Sequence, residues 1–399
     1  METTSIAAAL QTLQRIETDL KTELFEREEA IRASLVALLA RSHLVLLGPP
    51  GTAKSELVKR IAERFCDPAG QGLAYFVYLL TRFTTPEELF GPVSVHGLKN
   101  DTYERITAHK LPEAQLVFLD EVFKSSSAVL NTLLTILNER LFDNGTRRVP
   151  VPLISLFGAS NEMPQEAQDL EALWDRFLLR VQVGYLSEGN FEQLLQTQLP
   201  SSRGQAPAVT MSQVDLQLLQ DHAAALPIPR SVTQALVSLR RDLAQQKGIV
   251  VSDRRWMQCL GLLQAHAVLE GRDTVEEDDL AILSLSLWNQ PEQQAEISRL
   301  VSKLANPINA KATELKDNAR TIWQEAKSKM QANAGEDEGA AVRRAQVALE
   351  ALGKVKRILG QLEALKEQAI EQGRPAKRVE QAIGAASHIR QEILDSGDL

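Results

Sequence analysis

Cysteine is almost absent from this 399-residue chain: Cys66 and Cys259 are the only two, and they lie far apart in sequence. Such a pair has no metal-site spacing, so both read as core or surface thiols of a reducing compartment. Aromatic residues make up only 5% of the chain, which fits a mostly helical protein rich in Ala and Leu. No run reaches the roughly 18 apolar residues that a membrane span needs. The first residues, METTSIAAALQTLQRIE, lack the basic leader and apolar core of a signal peptide. The expectation is a cytoplasmic protein without a membrane span. An excess of positive charge is missing too. The net charge is -8, whereas a nucleic-acid motor usually carries a basic face, so no nucleic-acid partner is expected.

What is present is an ordinary globular composition, 44% apolar and 24% charged, in a chain long enough for about two or three domains. Ile6, Leu10, Leu13, Ile16 and Leu20 recur at helical spacing. A second helix is expected from about Arg27 to Arg41. Short apolar runs then alternate with polar helical segments: His43–Leu47, Ala74–Leu79, Leu116–Leu119, Leu153–Ala159 and Leu178–Val183. Near-continuous apolar strands between helices indicate a parallel sheet covered on both faces. Thr85-Pro86-Glu87-Glu88 carries a capping box with Pro at the first helical position, and Thr274 with Glu277 reads as another. Asn144-Gly145 between short apolar segments signals a two-residue hairpin.

After about residue 186 the strands are expected to cease. The expected fold is therefore α/β: a five-stranded parallel sheet sandwiched by helices over residues 1–186, an all-α domain over 187–290, and a long-helix bundle or hairpin over 291–399. In that last segment Leu352, Val355, Leu359 and Leu362 form a stripe, and Gln331–Gly339 is the expected loop.

Gly48-Pro49-Pro50-Gly51-Thr52-Ala53-Lys54-Ser55 follows a strand and precedes a helix opened by Glu56, which is the context of a phosphate-binding P-loop. Backbone N–H groups of the small residues and the helix N-terminus face an anion, so Gly48 to Glu56 are expected among the nucleotide contacts. Lys54 is expected on the β- and γ-phosphates of ATP or ADP, and the Ser55 hydroxyl on Mg²⁺. Ala53 stands where glycine is usual, which is tolerable if its φ is negative. Leu116-Val117-Phe118-Leu119-Asp120-Glu121 ends a buried strand in two carboxylates, at the edge where such sheets bind ligands. Asp120 is expected to hold Mg²⁺, and Glu121 to orient or deprotonate the attacking water. The next strand ends in Ser160-Asn161-Glu162, with Asn161 in the role of a γ-phosphate sensor.

Trp174-Asp175-Arg176-Phe177 offers Arg176 as a finger to a neighbouring subunit's γ-phosphate, with Arg180 a second candidate. Ser252-Asp253-Arg254-Arg255-Trp256 opens a helix of the all-α domain. One of its arginines, Arg254 in preference to Arg255, is expected to fold over the bound nucleotide. Leu24 and Phe25 are candidates for the adenine pocket or for core positions.

This ordered set of motifs resembles the MoxR family of AAA+ ATPases, specifically its RavA-like branch. Leu24-Phe25-Glu26-Arg27, Leu47–Ser55, Thr81–Pro92 and Asn131-Thr132-Leu133-Leu134 look like that branch, whose members commonly have Ala before the P-loop Lys. The resemblance implies an all-α lid after the AAA+ core and hexameric rings with nucleotide between subunits. It implies that Ser94–Pro112 is a helix-2 insert and the Asn144-Gly145 hairpin a pre-sensor-1 hairpin, both facing the ring's axial region. It further implies a von Willebrand factor A domain partner, a remodelling role toward a client complex, and a separate C-terminal helical bundle. Rubisco-activase-type or chelatase-type motor subunits are the neighbouring alternative. A helicase-type motor would need a basic hairpin, for which Arg147 and Arg148 are the only hint.

Overall fold

The five apolar runs pair as one parallel sheet. In chain order the strands are β1 Leu44–Leu47, β2 Tyr75–Leu79, β3 Leu116–Asp120, β4 Ser155–Ser160 and β5 Leu179–Gln182, and their spatial order is β2-β3-β4-β1-β5. Leu44 pairs with Phe157 on one side and Leu179 on the other. β1 and β4 are buried along their whole length, because helices cover both faces; hence their runs are continuously apolar rather than alternating. β2 is an edge strand and exposes Val77 and Leu79. The structure is a computed structural model and describes residues 5–163, 168–197, 208–332, 338–371 and 376–396. The chain divides into two compact units, residues 1–294 and 295–399.

In the first unit, α1 (Ile6–Glu23) is capped by Ser5 and buries Leu13, Ile16 and Leu20, the predicted stripe. The helix α2 (Glu28–Leu39) packs on β1 and β5, and α3 (Lys54–Ala62) on β3 and β4. The short helix α4 (Pro86–Phe90) has the predicted Thr85–Glu88 capping box, and α5 (Val95–Lys99) follows. The sheet region is completed by α6 (Ser127–Glu139) and α7 (Gln168–Arg176). Four helices come next: α8 (Glu188–Thr197), α9 (Gln213–Ala225), α10 (Arg230–Lys247) and α11 (Asp253–Leu269).

Three local expectations are corrected. Strands do not cease at residue 186: Met211-Ser212 pairs in parallel with Phe65-Cys66, a two-residue bridge too short to leave a periodic signal. The second capping box is Glu276–Asp279, not Thr274–Glu277. Asp279 Oδ2 accepts from Glu276 N at 2.8 Å, and the segment Glu277–Leu285 is a 3₁₀ helix. In the hairpin, Asn144 pairs with Arg147, so the two turn residues are Gly145-Thr146. Asn144 is drawn into the strand because its side chain binds a neighbouring segment: Oδ1 accepts from Arg105 N at 2.6 Å and Nδ2 donates to Arg105 O at 3.1 Å. Gly145 takes φ 65°, and a Cβ there would lie 1.7 Å from Tyr103 O. The hairpin turn and the Ser94–Pro112 segment are thus docked through the Asn144 side chain and the close approach of Gly145 to Tyr103 O.

In the second unit, α12 (Gln294–Ala305) leads into α13 (Pro307–Ala332), α14 (Glu338–Glu371) and α15 (Lys377–Ser396). The last three pack mutually around Leu315, Ala319, Trp323, Val355, Leu362, Val379 and Ile393. This is a three-helix bundle rather than a hairpin, and the Val355/Leu359/Leu362 stripe is part of its core. Of the expected loop Gln331–Gly339, residues 333–337 lie outside the described residues.

Candidate functional site

The phosphate loop leaves β1 at Gly48, whose N–H donates to Ser160 O at 3.1 Å. Only glycine fits here, since a Cβ would lie 2.0 Å from Val183 O. Pro49 O accepts from the Thr52 hydroxyl at 2.9 Å, closing the loop on itself. Pro50 O accepts from the Tyr185 hydroxyl at 3.3 Å. Gly51 has φ 78°.

Ala53 corrects the condition set on it: its φ is +60°, in the left-handed region. The methyl group is carried at a cost of about 1 kcal/mol. An Ala53→Gly chain is therefore expected to unfold at a midpoint about 2 °C higher, by calorimetry. An unchanged or lower midpoint would show that the loop relaxes to negative φ in solution.

Lys54 opens α3 with its side chain turned back over the loop. Its ammonium donates to Gly48 O at 2.7 Å, Pro49 O at 3.0 Å and Asn161 Oδ1 at 3.0 Å, using all three donors. Burial pushes its pKa below the ordinary lysine value, while Asp120 and Glu121 pull it back. Asn161 continues the chain by donating Nδ2 to Glu121 Oε1. The other Glu121 oxygen lies 3.2 Å from Lys124 Nζ as an ion pair without hydrogen-bond geometry. Glu121 itself sits at φ +52°, a conformation that costs a non-glycine residue energy and is concentrated at functional sites. Asp120, half-buried at the end of β3, accepts from Glu121 N at 3.0 Å. Ser55 is exposed at the first turn of α3. Glu56, expected among the nucleotide contacts, instead pairs with Arg60 at 2.7 Å along the helix face. The loop, Lys54, Asp120, Glu121 and Asn161 therefore meet at the C-terminal ends of β1, β3 and β4, bringing together a cation, an amide and two carboxylates.

Arg176, Arg254 and Arg255 lie at the other edge. α6 starts beside the acidic pair and runs about 20 Å away from it. At its far end Arg140 donates to Arg41 O at 2.7 Å and Ile154 O at 3.3 Å, just ahead of β1 and β4. Arg254 Nη2 donates to Asn138 Oδ1 on that same last turn. Arg176 ends α7 just ahead of β5. It is half-buried, 3.7 Å from Asp175 Oδ2, and its Nε is buried without a hydrogen-bond partner. Burial and the neighbouring Arg254 lower its pKa. The expectation that Arg254 folds over the nucleotide of its own chain is thus corrected, because α11 begins at the opposite edge of the sheet. Arg255 is corrected as a nucleotide contact: its side chain is 3% exposed and pairs with Asp175 at 2.7 Å. Arg180 is corrected as a second finger, being fully buried and stacked 4.2 Å over the Trp174 ring.

Two positions were missed. Arg27 is buried and donates to Thr52 O at 3.2 Å and Gly184 O at 2.8 Å, fastening the phosphate loop to the exit of β5. Glu26, at φ +56°, accepts from Ser187 N at 3.1 Å and Asn190 Nδ2 at 2.6 Å on α8; the Ser187 bond leads in lowering its pKa. The only sequence signal was the Leu24–Arg27 stretch shared with the resembled family. Leu24 is buried and Phe25 half-buried beside this clasp.

A sequence profile described as the MoxR domain of MoxR-vWA-β-propeller ternary systems matches residues 11–221. A profile of the AAA lid domain matches residues 231–301. Two uncharacterized proteins of Methanocaldococcus jannaschii are similar. One is 37% identical over 373 residues, 93% of this chain and 95% of that protein. The other is 39% identical over 312 residues, 78% of each. The chaperone MoxR1 of Mycobacterium tuberculosis is 24% identical over 290 residues, 69% of this chain and 74% of that protein. A crystal structure of a Cytophaga hutchinsonii protein assigned as an ATPase shares the fold with TM-score 0.60 at 19% identity, covering 75% of this chain and 96% of that one.

Proposed function

The chain belongs to the MoxR family of AAA+ ATPases, and on that premise we propose that it hydrolyses ATP with Mg²⁺ at the subunit interfaces of a hexameric ring to remodel a client protein complex, together with a von Willebrand factor A (vWA) domain partner. The observation that carries this reading is the split of the machinery between two edges of one sheet. Lys54, Asp120, Glu121 and Asn161 form one half, while Arg176 and Arg254 sit at the other edge. A site with both halves requires a second copy, and a head-to-tail contact of that kind gives a ring where its rotation closes and an open filament where it does not; the ring is the form common to the resembled family.

In this reading residues 1–186 are the nucleotide-binding domain, 187–290 the lid and 291–399 an appended bundle. The loop amides from Gly51 to Ser55 cradle the β-phosphate; Pro49 and Pro50 have no N–H, and that of Gly48 is engaged by Ser160 O. Lys54 leaves its loop carbonyls for the phosphates, and Asn161 senses the γ-phosphate while steering the water toward Glu121. The described residues hold no cluster of three or more metal-ligating side chains. Ser55 and Asp120 supply hard oxygen donors, which fits Mg²⁺, an ion usually held by one or two side chains plus phosphates. It would neutralise charge on the transferring phosphoryl group.

The matched MoxR-vWA-β-propeller profile supports the vWA partner. The Thr81–Pro92 and Asn131–Leu134 motifs support placing the chain in the RavA-like branch. No described helix is long and apolar enough to cross a membrane, and we place the protein in the cytoplasm. The hairpin does not favour nucleic acid: Arg148 is paired with Asp143 at 2.8 Å and with Glu139 at 3.3 Å. As a test, a Glu121→Gln chain loaded with Mg²⁺ and ATP is used as bait in its native extract. Co-isolation of a vWA-domain protein is expected. An assembled bait that captures none counts against the partner.

A further inference from the structure

The guanidinium of Arg255 ties the small helical domain to the last turn of α7. Its Nη2 lies 2.7 Å from Asp175 Oδ1, and its Nη1 donates to Asn289 Oδ1 at 3.2 Å and Ser286 O at 3.4 Å. Arg180 holds the same turn from below, donating to Trp174 O at 3.1 Å and Phe177 O at 3.2 Å and reaching Trp288 O. Trp174 and Trp288 meet edge to face, 5.7 Å between centroids. The turn around Asp175 is thus held by Arg180 of β5 through its carbonyls and by Arg255 and Trp288 of the small domain through side-chain contacts.

Arg176 is held far less. Among the described residues the other Asp175 oxygen, at 3.7 Å, is the one anion paired with it, Nε has no hydrogen-bond partner, and Arg254 repels it. One carboxylate therefore lies between a well-anchored arginine of the small domain and a weakly anchored arginine at the sheet edge.

We propose that Asp175 and Arg255 are positioning residues for Arg176: Arg255 fixes one Asp175 oxygen, the other restrains the finger, and the small domain of one chain thereby sets the arginine offered to the next chain's nucleotide. This rests on the reading of Arg176 as a finger acting between subunits. The geometry couples lid orientation in one subunit to catalysis in its neighbour. It also assigns a use to an ion pair whose arginine is buried and whose carboxylate is partly exposed, a pairing that need add little to stability.

The test uses the full chain with Asp175→Asn or Arg255→Lys. The first keeps the shape of a side chain that is 34% exposed. The second keeps the charge but loses the planar fork. Each variant alone should lose roughly 10- to 100-fold in kcat, the scale of a misplaced catalytic group, with KM for ATP unchanged because its own phosphate loop is intact. In rings mixed equally with Lys54→Ala chains, about a quarter of interfaces join an intact loop to an intact finger arrangement, and turnover should rise toward that fraction of the parent. Damage that is merely structural, or action on the same chain's nucleotide, gives no such recovery.

Parent-like kcat for either variant overturns the proposal. So does a loss that Lys54→Ala chains fail to recover while they do recover Arg176→Ala. If Arg176→Ala is not recovered either, in rings verified as mixed, the interface reading itself falls and the proposal with it.

Discussion

A Glu121→Gln chain should bind ATP as the parent does and hydrolyse it at least about 100-fold more slowly, the usual worth of a positioned general base. The expectation comes from geometry. Glu121 stands one residue past the end of β3 at φ +52°, so its side chain leaves the line of the strand and meets Asn161, which in turn meets Lys54. Glutamine has the same shape and can still accept from Asn161 Nδ2, so the network survives; what it lacks is a group able to take the proton of the attacking water. Binding should be spared because the phosphates meet the loop and Lys54 rather than Glu121. Phosphate release under saturating ATP, beside a separate measurement of nucleotide affinity, separates the two effects. Parent-like turnover would remove Glu121 from proton transfer. A loss of affinity of similar size would show instead that it props the cradle.

The parts of this site that were legible in the sequence are those whose position follows from their own strand. Gly48, Asp120, Glu121 and Asn161 each lie at or one residue past a strand's C-terminal end, and Lys54 closes the short loop that follows one; in a parallel sheet all such ends share one edge. No long-range information is needed to bring them together. Arg254 and Arg255 were misplaced because their location depends on where α11 packs, a contact more than 100 residues away in sequence: Arg254 meets Asn138. Arg180 alternates with apolar neighbours on β5, and nothing local says that two tryptophans and backbone carbonyls bury it. Arg27 stands in the sequence as the start of an expected helix, although it binds the carbonyls of Thr52 and Gly184. The sign of φ at Ala53 was likewise invisible, since the residue that marks a left-handed turn is normally glycine. Local chemistry could be read; the partners of each arginine needed the tertiary structure.

Arg176→Ala should lower kcat by roughly 10³-fold, the lower end of what an arginine finger contributes, and should leave ATP affinity of the same chain close to the parent's. Removing the guanidinium should cost little folding stability. Arg176 is only weakly paired at 3.7 Å, and its Nε already lacks a hydrogen-bond partner. Its place ahead of β5 puts it at the edge opposite Lys54, so on the proposed reading the nucleotide it would stabilise belongs to another copy. The two lesions can therefore complement. A ring of Arg176→Ala chains has complete loops and no fingers; a ring of Lys54→Ala chains has complete fingers and no working loops. Mixed rings contain interfaces where an Arg176→Ala chain supplies the loop and a Lys54→Ala chain supplies the finger. Turnover by the mixture, from two preparations each inactive alone, is the expected result. It should peak near equal proportions, where unlike neighbours are most frequent. If rings verified as mixed remain inactive at every ratio, Arg176 acts within its own chain or not at all, and the split of the site between two subunits is wrong.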